Sequence, residues 1–136
     1  MKSLSVLIGG LLVSVAAQAE AGSIVVGPGT AIDTLDADMV KRIFLGREAT
    51  LGGKPLVVVF QKSGATREAF DGGFLGKPGA QLTSYWSKLV FTGKAKAPEE
   101  VADDAAVKAK VAATPGAIGY IEDAAVDGSV KKVFGY

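Results

Sequence analysis

The amino-acid sequence predicts an α/β fold, a mixed sheet flanked by about four helices, because short apolar runs alternate with segments of helical periodicity. The clearest strand is the continuous apolar run at 56–60, which is rich in β-branched residues and typical of a strand covered on both faces. The clearest helix follows Asp36, because apolar residues recur there at helical spacing and Gly46 occupies the usual position of a C-terminal glycine.

Shorter signals of the same kind predict the remaining elements. Further strands are expected at 24–26, 117–121 and 130–134, with turns at 27–29, 52–53 and 127–128. Further helices are expected from Arg67 onward, over 82–90, and after Asp103 or Asp104 as far as the run at 114–116. Tyr85, Trp86 and Phe91 fall on or beside the apolar stripe of the helix at 82–90, so we expect their rings, and Trp86 above all, to pack in the core rather than to form a binding site.

Pairs of acidic residues stand in or just ahead of predicted first turns of helices. Carboxylates are favoured there by the helix dipole, so the pairs indicate helix starts rather than metal binding or acid–base catalysis. The pairs are Asp36/Asp38, Glu99/Glu100 and Asp103/Asp104.

The first nineteen residues have the order of parts of a secretory signal peptide. A single cationic residue, Lys2, precedes an apolar stretch at 4–17, and Ala17 and Ala19 form the small-x-small pattern of a cleavage site. The 136-residue chain has no cysteine to carry a lipid anchor. We therefore expect a signal peptide at 1–19, and one soluble, periplasmic domain at 20–136.

The composition argues against several classes of function. The chain contains no histidine and no cysteine, so it offers no His-based triad, no zinc site and no nucleophile–base pair. Fifteen basic residues stand against fourteen acidic ones, and Lys2 belongs to the predicted signal peptide. A nearly neutral domain gives no support for nucleic acid or an anionic membrane as partner. The sequence predicts a protein that is not an enzyme and that carries no cofactor or metal.

The segment from Gln61 to Arg67 is the best candidate for a ligand site, because it joins a buried strand to a helix start. Hydroxyl groups and small residues would let an oxyanion approach the backbone, and Arg67 would supply positive charge. The alternative is that Ser63 or Thr66 only caps the helix. The candidate ligand-binding residues are Gln61, Ser63, Gly64, Ala65, Thr66 and Arg67.

Several motifs occur in an order that resembles a known family. They are the helix ending Ile43-Phe44-Leu45-Gly46, the segment leading to Arg67-Glu68-Ala69-Phe70, the pair Tyr85-Trp86 followed by Val90-Phe91-Thr92-Gly93, and the run Thr114-Pro115-Gly116-Ala117-Ile118-Gly119-Tyr120. In this the chain resembles the periplasmic phosphate-binding proteins of ABC transporters, and especially small single-lobe proteins similar to them. The resemblance implies a single lobe of a periplasmic-binding-protein-like fold and places an anion at the loop after residue 60.

The chain departs from that family at the loop and in length. Phosphate-binding members carry an arginine at the strand end and a Gly-Ser-Gly-Thr run, whereas here Phe60 and Gln61 end the strand and only Thr66 matches the threonine. Full-length members close two lobes around the ligand, whereas this chain has residues for one. We therefore expect weak affinity unless a second copy of the chain, in a homodimer, or another protein closes over the loop.

Two functions are compatible with these observations. The first is reversible binding of phosphate or a similar small oxyanion, linked to ABC phosphate transport through a permease. The second is a ligand-free accessory module that kept the fold and acts by contacting another protein, such as a sensor. Neither function requires nucleic acid or membrane insertion.

Overall fold

The computed structural model describes residues 21–136, so the predicted signal peptide at 1–19 lies outside the described residues. In this range the strands are β1 (Gly22–Val26), β2 (Thr50–Leu51), β3 (Lys54–Pro55), β4 (Val57–Gln61), β5 (Glu99–Val101), β6 (Ala117–Glu122) and β7 (Lys131–Gly135). The α-helices are α1 (Ala37–Phe44), α2 (Ala65–Glu68), α3 (Ala80–Phe91) and α4 (Asp104–Ala113). A π-helical turn (Ala69–Phe74) continues α2, and a 3₁₀ turn (Asp123–Ala125) follows β6.

The main sheet has five strands in the order β5-β4-β6-β1-β7. Strand β4 runs parallel to both of its neighbours, with Val58 opposite Ile118 of β6 and Phe60 opposite Glu100 of β5. Strand β1 runs antiparallel to β6 and β7. The prediction of a mixed sheet flanked by four helices is confirmed for the described residues.

Helix ends follow the predicted signals. The Asp36 side chain accepts a hydrogen bond from the backbone N–H of Met39 at 2.7 Å and so caps α1. Asp103 caps α4 in the same way, through the N–H of Ala106 at 2.9 Å. Gly46, beyond the end of α1, has a φ of +70°, which favours glycine, and a Cβ there would lie 2.8 Å from the indole of Trp86.

Each face of the sheet has its own hydrophobic core. On one face, α4 covers a small cluster made mainly of aliphatic residues: Val25, Val59, Val107, Val111, Ala117, Ile121 and Val130. On the other face, α1, α3 and the π-helical turn cover a larger cluster that contains most of the buried aromatic rings, including Phe44, Phe60, Phe70, Trp86 and Tyr120. The prediction that Trp86 packs in the core is confirmed, since it is 7% exposed.

Three predictions need correction. Phe91 does not pack in the core, since it is 93% exposed at the end of α3. Glu99 and Glu100 do not precede a helix start; they lie on the edge strand β5, which pairs with β4. Neither Ser63 nor Thr66 caps α2, because the N-cap position is Gly64 and no side chain makes the cap hydrogen bond. The hairpin formed by β2 and β3 was predicted only as a turn at 52–53.

Candidate functional site

The carboxyl ends of β4 and β5 form a topological switch point. The two strands are adjacent and parallel, but the segments that follow them go to opposite faces of the sheet: α2 and α3 to the aromatic face, α4 to the aliphatic face. The chain therefore diverges there and leaves a crevice, which is the usual place for a ligand in an open α/β sheet. The candidate loop after β4 lies at this crevice.

The loop presents free backbone donors. Gly64 adopts a φ of +104°, and α2 begins immediately after it. Within the described residues, the backbone N–H groups of Ser63, Gly64, Ala65 and Thr66 donate to no acceptor. Ser63, Gly64 and Ala65 are exposed and Thr66 is half-buried. A row of free N–H groups at a helix start can donate to an anion.

Gln61 makes hydrogen bonds that hold neighbouring elements of the fold together at the end of β4. It is 4% exposed, and its side-chain Nε2 donates to Asp104 Oδ1 at 2.6 Å and to the backbone oxygen of Tyr120 at 3.2 Å. Its backbone N–H donates to the hydroxyl of Tyr120 at 3.0 Å. The Gln61 side chain thus ties the end of β4 to α4 and β6, and its amide hydrogens are already engaged.

Arg67 lies at the loop, but its charge is shared with two carboxylates. Its Nε donates to Asp71 Oδ2 at 3.0 Å, and its Nη1 donates to Glu100 Oε1 at 3.1 Å and to the backbone oxygen of Gln61 at 2.8 Å. The guanidinium also lies over the ring of Phe60, 5.3 Å from its centroid. Burial works to lower the pKa of Arg67, but the hydrogen bonds to Asp71 and Glu100 outweigh it, and the net pKa lies above its ordinary value.

Asp71 is the most deeply buried carboxylate of the site. It is 2% exposed, and its Oδ1 has no hydrogen-bond donor in the described part of the chain. Burial raises the pKa of Asp71 above its ordinary value, although the hydrogen bond from Arg67 works in the opposite direction. The raised pKa shows that the salt bridge offsets only part of the cost of burying this charge.

The crevice beside the loop is strongly acidic. It has a volume of about 340 Å³ and is lined by Gln61, Thr66, Asp103, Asp104, Ala105 and Glu122. Thr66 Oγ1 lies 3.3 Å from Glu122 Oε1, and the backbone N–H of Glu122 donates to Asp104 Oδ2 at 3.3 Å. Carboxylates so close to the loop oppose the approach of an anion and reduce what the free N–H groups can gain.

Sequence reasoning missed three residues that determine the electrostatics of the loop. Glu100, Asp104 and Glu122 lie far from Arg67 along the chain, and only the parallel pairing of β4 with β5 and β6 brings them to one edge. Asp71 carried a local signal, since residues four apart on a helix face each other and the pair Arg67–Asp71 has this spacing. The structure brings together all six predicted candidates, but it engages Gln61 and Arg67 in internal hydrogen bonds.

Comparisons with known proteins found matches in structure but not in sequence. No family model and no curated protein sequence matches the chain. A solved ABC-type phosphate transport receptor from Vibrio cholerae superposes with a TM-score of 0.67 at 21% identity, over 84% of this chain and 45% of that chain. The fold is that of a single lobe of such a receptor.

Two further solved structures give the same result. One is a Clostridium perfringens substrate-binding protein assigned to phosphate ABC transport and solved with bound phosphate. It superposes with a TM-score of 0.65 at 22% identity, over 84% of this chain and 44% of that chain. The other is PstS from Borrelia burgdorferi, with a TM-score of 0.64, 14% identity, and coverage of 84% and 46%. The resemblance in fold to periplasmic phosphate-binding proteins is confirmed, and the chain spans less than half the length of these neighbours.

Two features are absent from residues 21–136. Over this range no helix has the length and apolar character needed to cross a membrane. The same residues contain no group of three or more acidic, histidine or cysteine side chains placed to hold a metal ion.

Proposed function

We propose that the protein is an exported, solute-binding-like domain that binds phosphate or a similar small oxyanion reversibly, and that it works alongside an ABC transporter for that anion. The observation that carries the proposal is the row of free backbone N–H groups at Ser63–Thr66, at the carboxyl end of a buried strand. The solved neighbours support the class of ligand, because they are phosphate transport proteins with the same fold. The proposal includes no catalytic step.

The expected affinity is low. One helix terminus contributes about 0.3–1 kcal/mol per favourable charge interaction, and Arg67 already shares its charge with Asp71 and Glu100. A millimolar site needs about −4.1 kcal/mol and a micromolar site about −8.2 kcal/mol. We therefore expect dissociation constants near millimolar, with phosphate and sulfate competing at similar strength.

Titration of the purified protein with phosphate, followed by NMR of backbone amides, tests the proposal. Amide shifts centred on Ser63–Thr66 are expected with phosphate and sulfate, and much smaller ones with chloride. Arg67→Ala should weaken the binding. Shifts centred elsewhere, or an affinity that Arg67→Ala leaves unchanged, would contradict the site.

A pair of variants on β5 makes the test sharper. Glu100→Gln removes one carboxylate from Arg67 and should tighten anion binding by a few-fold. Glu99→Gln is the matched control, because Glu99 is the neighbour of Glu100 along the same strand but pairs with Lys110, at 3.6 Å, instead of with Arg67. Equal affinities in the two variants would show that the charge of Arg67 does not act at the loop.

A second function is favoured by one specific observation. The crevice carries the carboxylates of Asp103, Asp104 and Glu122 beside the loop, which suits a ligand-free module that contacts another protein, such as a permease or sensor. Absence of any amide shift at roughly tens of millimolar phosphate, well above the expected constant, would favour this function over anion binding.

Export is part of the proposal and has its own test. We propose cleavage after Ala19 and release of residues 20–136 into the periplasm as a soluble protein without a lipid anchor. Intact-mass measurement of the protein recovered from the periplasmic fraction should give a chain that begins at Glu20. A chain that retains residues 1–19 in the membrane fraction would contradict it.

A further inference from the structure

A cavity with a basic wall lies at the amino end of β4, at the other end of that strand from the candidate loop. It has a volume of about 630 Å³ and is enclosed by the segment after α1, the residues just before β4 and the segment after α3. At about 3.3 Å per residue, a strand separates Leu56 at this end from Gln61 at the loop end by about 16 Å. The residues that line this basic cavity include none of the candidate loop.

Three cationic side chains line the basic cavity: Arg47 after α1, and Lys94 and Lys96 after α3. All three residues are exposed, and within residues 21–136 their side chains make no hydrogen bond and no ion pair. The single acidic residue of the lining is Glu48, which pairs with Arg42 at 3.0 Å. The three cations are therefore not balanced by any carboxylate of the lining.

The last carbonyl groups of α1 are satisfied by neutral donors. The carboxyl end of a helix carries a partial negative charge, which can hold a nearby cation. Here the backbone oxygen of Phe44 accepts from Trp86 Nε1 at 3.2 Å, and that of Leu45 accepts from the hydroxyl of Tyr85 at 2.6 Å. Because the fold itself satisfies these oxygens, the side chain of Arg47 stays available to a ligand.

Apolar side chains complete the lining of the basic cavity. Leu56 and Ala95 are half-buried, and Trp86 contributes the edge of a ring that is 7% exposed. Small-molecule sites typically have a volume of about 300–1,000 Å³ and combine apolar walls with a few charged or polar groups. A cavity of about 630 Å³ falls in this range. It is much larger than a bare oxyanion needs, since a water molecule takes up about 30 Å³ of liquid.

We propose that the basic cavity is a second binding site, for a small organic anion in which a phosphate or carboxylate group is attached to an apolar body. The anionic group contacts Arg47, Lys94 and Lys96, and the apolar body packs on Leu56 and the edge of Trp86. The crevice at the other end of β4 is lined by carboxylates, so an anion is repelled there and attracted here. This site goes beyond the proposed function and needs no occupant at the candidate loop.

NMR titration of the purified exported protein with phenyl phosphate tests the proposal. Saturable shifts are expected at the backbone amides of 46–49 and 93–96. Inorganic phosphate and phenol each supply only half of the chemistry, so each should bind there about tenfold more weakly. A parallel titration with benzoate identifies the preferred anionic group. Binding at the candidate loop is measured separately in the same spectra, because it shifts the amides of 63–66 instead.

A double variant measures the contribution of the basic wall. Lys94→Gln combined with Lys96→Gln should raise the dissociation constant of phenyl phosphate by about fivefold, as loss of two exposed ion pairs does. Lys88→Gln is the matched control, because Lys88 is also an exposed lysine of the α3 region but does not line the cavity. Added salt should weaken binding to the wild type, since it screens exposed charges.

Four results would overturn the proposal. One is the absence of saturable shifts at 46–49 and 93–96 with roughly tens of millimolar phenyl phosphate. Another is an equal effect of the double variant and Lys88→Gln, and a third is phenol binding as tightly as phenyl phosphate. The fourth is binding of an acidic peptide without binding of phenyl phosphate, which would assign the basic wall to a protein partner.

Discussion

The two faces of the sheet are built differently. On the α4 face the side chains are small and mainly aliphatic, and Gly119 allows the helix to approach so closely that a Cβ there would lie 2.5 Å from Val107 Cγ1. On the other face large rings pack edge to face or stacked, with Phe70 on Tyr120 at a centroid distance of 4.0 Å. One face is closed by direct helix–sheet contact, whereas the other is filled by rings.

This difference leaves one face closed and the other partly open. The aliphatic face buries apolar side chains against one helix and holds a compact core. The aromatic side holds the Arg67–Asp71 salt bridge and an open groove of about 490 Å³ between α3 and β5, next to the candidate loop.

The largest expected effect comes from removing the central ring of the aromatic face. Phe70 is completely buried and packs on Phe44 at 4.8 Å, on Tyr120 at 4.0 Å and on Tyr136 at 5.6 Å. Phe70→Ala should lower the free energy of unfolding by about 3–5 kcal/mol, because the cavity cannot collapse among rigid rings. Urea denaturation measures it, and a loss below about 1 kcal/mol would show that the face repacks easily.

The aliphatic face should be sensitive to added volume instead. Gly119→Ala places a methyl group against Val107 and should cost about 1–3 kcal/mol by overpacking. Gly128→Ala is the control, since nothing lies within 4 Å of a Cβ at that position. Equal stabilities of the two variants in thermal unfolding would mean that α4 can move away from the sheet without cost.

The elements that sequence reasoning predicted are those with local signals. Helix α1 has Asp36 as its cap, an apolar stripe and Gly46, and β4 has an unbroken apolar run. Strand β5 was missed because it has three residues, two of them glutamates, on a sheet edge. Its position depends on backbone pairing with β4 rather than on its own composition.

The position of the candidate site could be predicted from the sequence, but the charges around it could not. The rule that ligands lie at strand carboxyl ends identified the loop after β4 from the strand–loop–helix pattern alone. Two further partners, Glu100 for Arg67 and Asp104 for Gln61, could not be predicted from spacing, because they reach the site through the sheet topology. The expectation that Phe91 packs in the core was wrong, because the apolar stripe does not show that α3 ends at this residue and leaves its ring exposed.

An intermediate effect is expected where the aromatic face supports the loop. The hydroxyl of the buried Tyr120 accepts the backbone N–H of Gln61 at 3.0 Å, so Tyr120→Phe leaves that donor unsatisfied at a cost of about 1–3 kcal/mol. Tyr85→Phe removes a hydroxyl that donates to the backbone oxygen of Leu45 at 2.6 Å from a half-buried ring. It should cost less, because water has more access to a half-buried ring than to the buried Tyr120.

Amide hydrogen exchange distinguishes this account from a general loss of stability. In Tyr120→Phe, exchange at the Gln61 amide should accelerate by more than the change in global stability explains. Exchange at the amides of α4 should change only as much as global stability does. Uniform acceleration throughout the chain would mean that Tyr120 supports the core without a special connection to the loop.

The smallest effects concern how stability depends on pH, and the two faces should give opposite signs. Burial raises the pKa of Asp71 on the aromatic face, whereas the ion pair with Lys108 of α4 and the hydrogen bonds from Ser129 hold the pKa of Asp127 below its ordinary range. A carboxyl whose pKa is raised in the folded state contributes stability in acid, and this contribution is lost as pH rises. A carboxyl whose pKa is lowered in the folded state contributes stability at neutral pH, and this contribution is lost as pH falls through and below about 4. The difference in unfolding free energy between wild type and Asp71→Asn should therefore shrink from about pH 3 to pH 7, while the difference between wild type and Asp127→Asn should grow.

Urea denaturation at a series of pH values measures both slopes independently of any loss of stability that does not change with pH. Slopes of the same sign would mean that the Arg67 salt bridge outweighs burial in setting the pKa of Asp71.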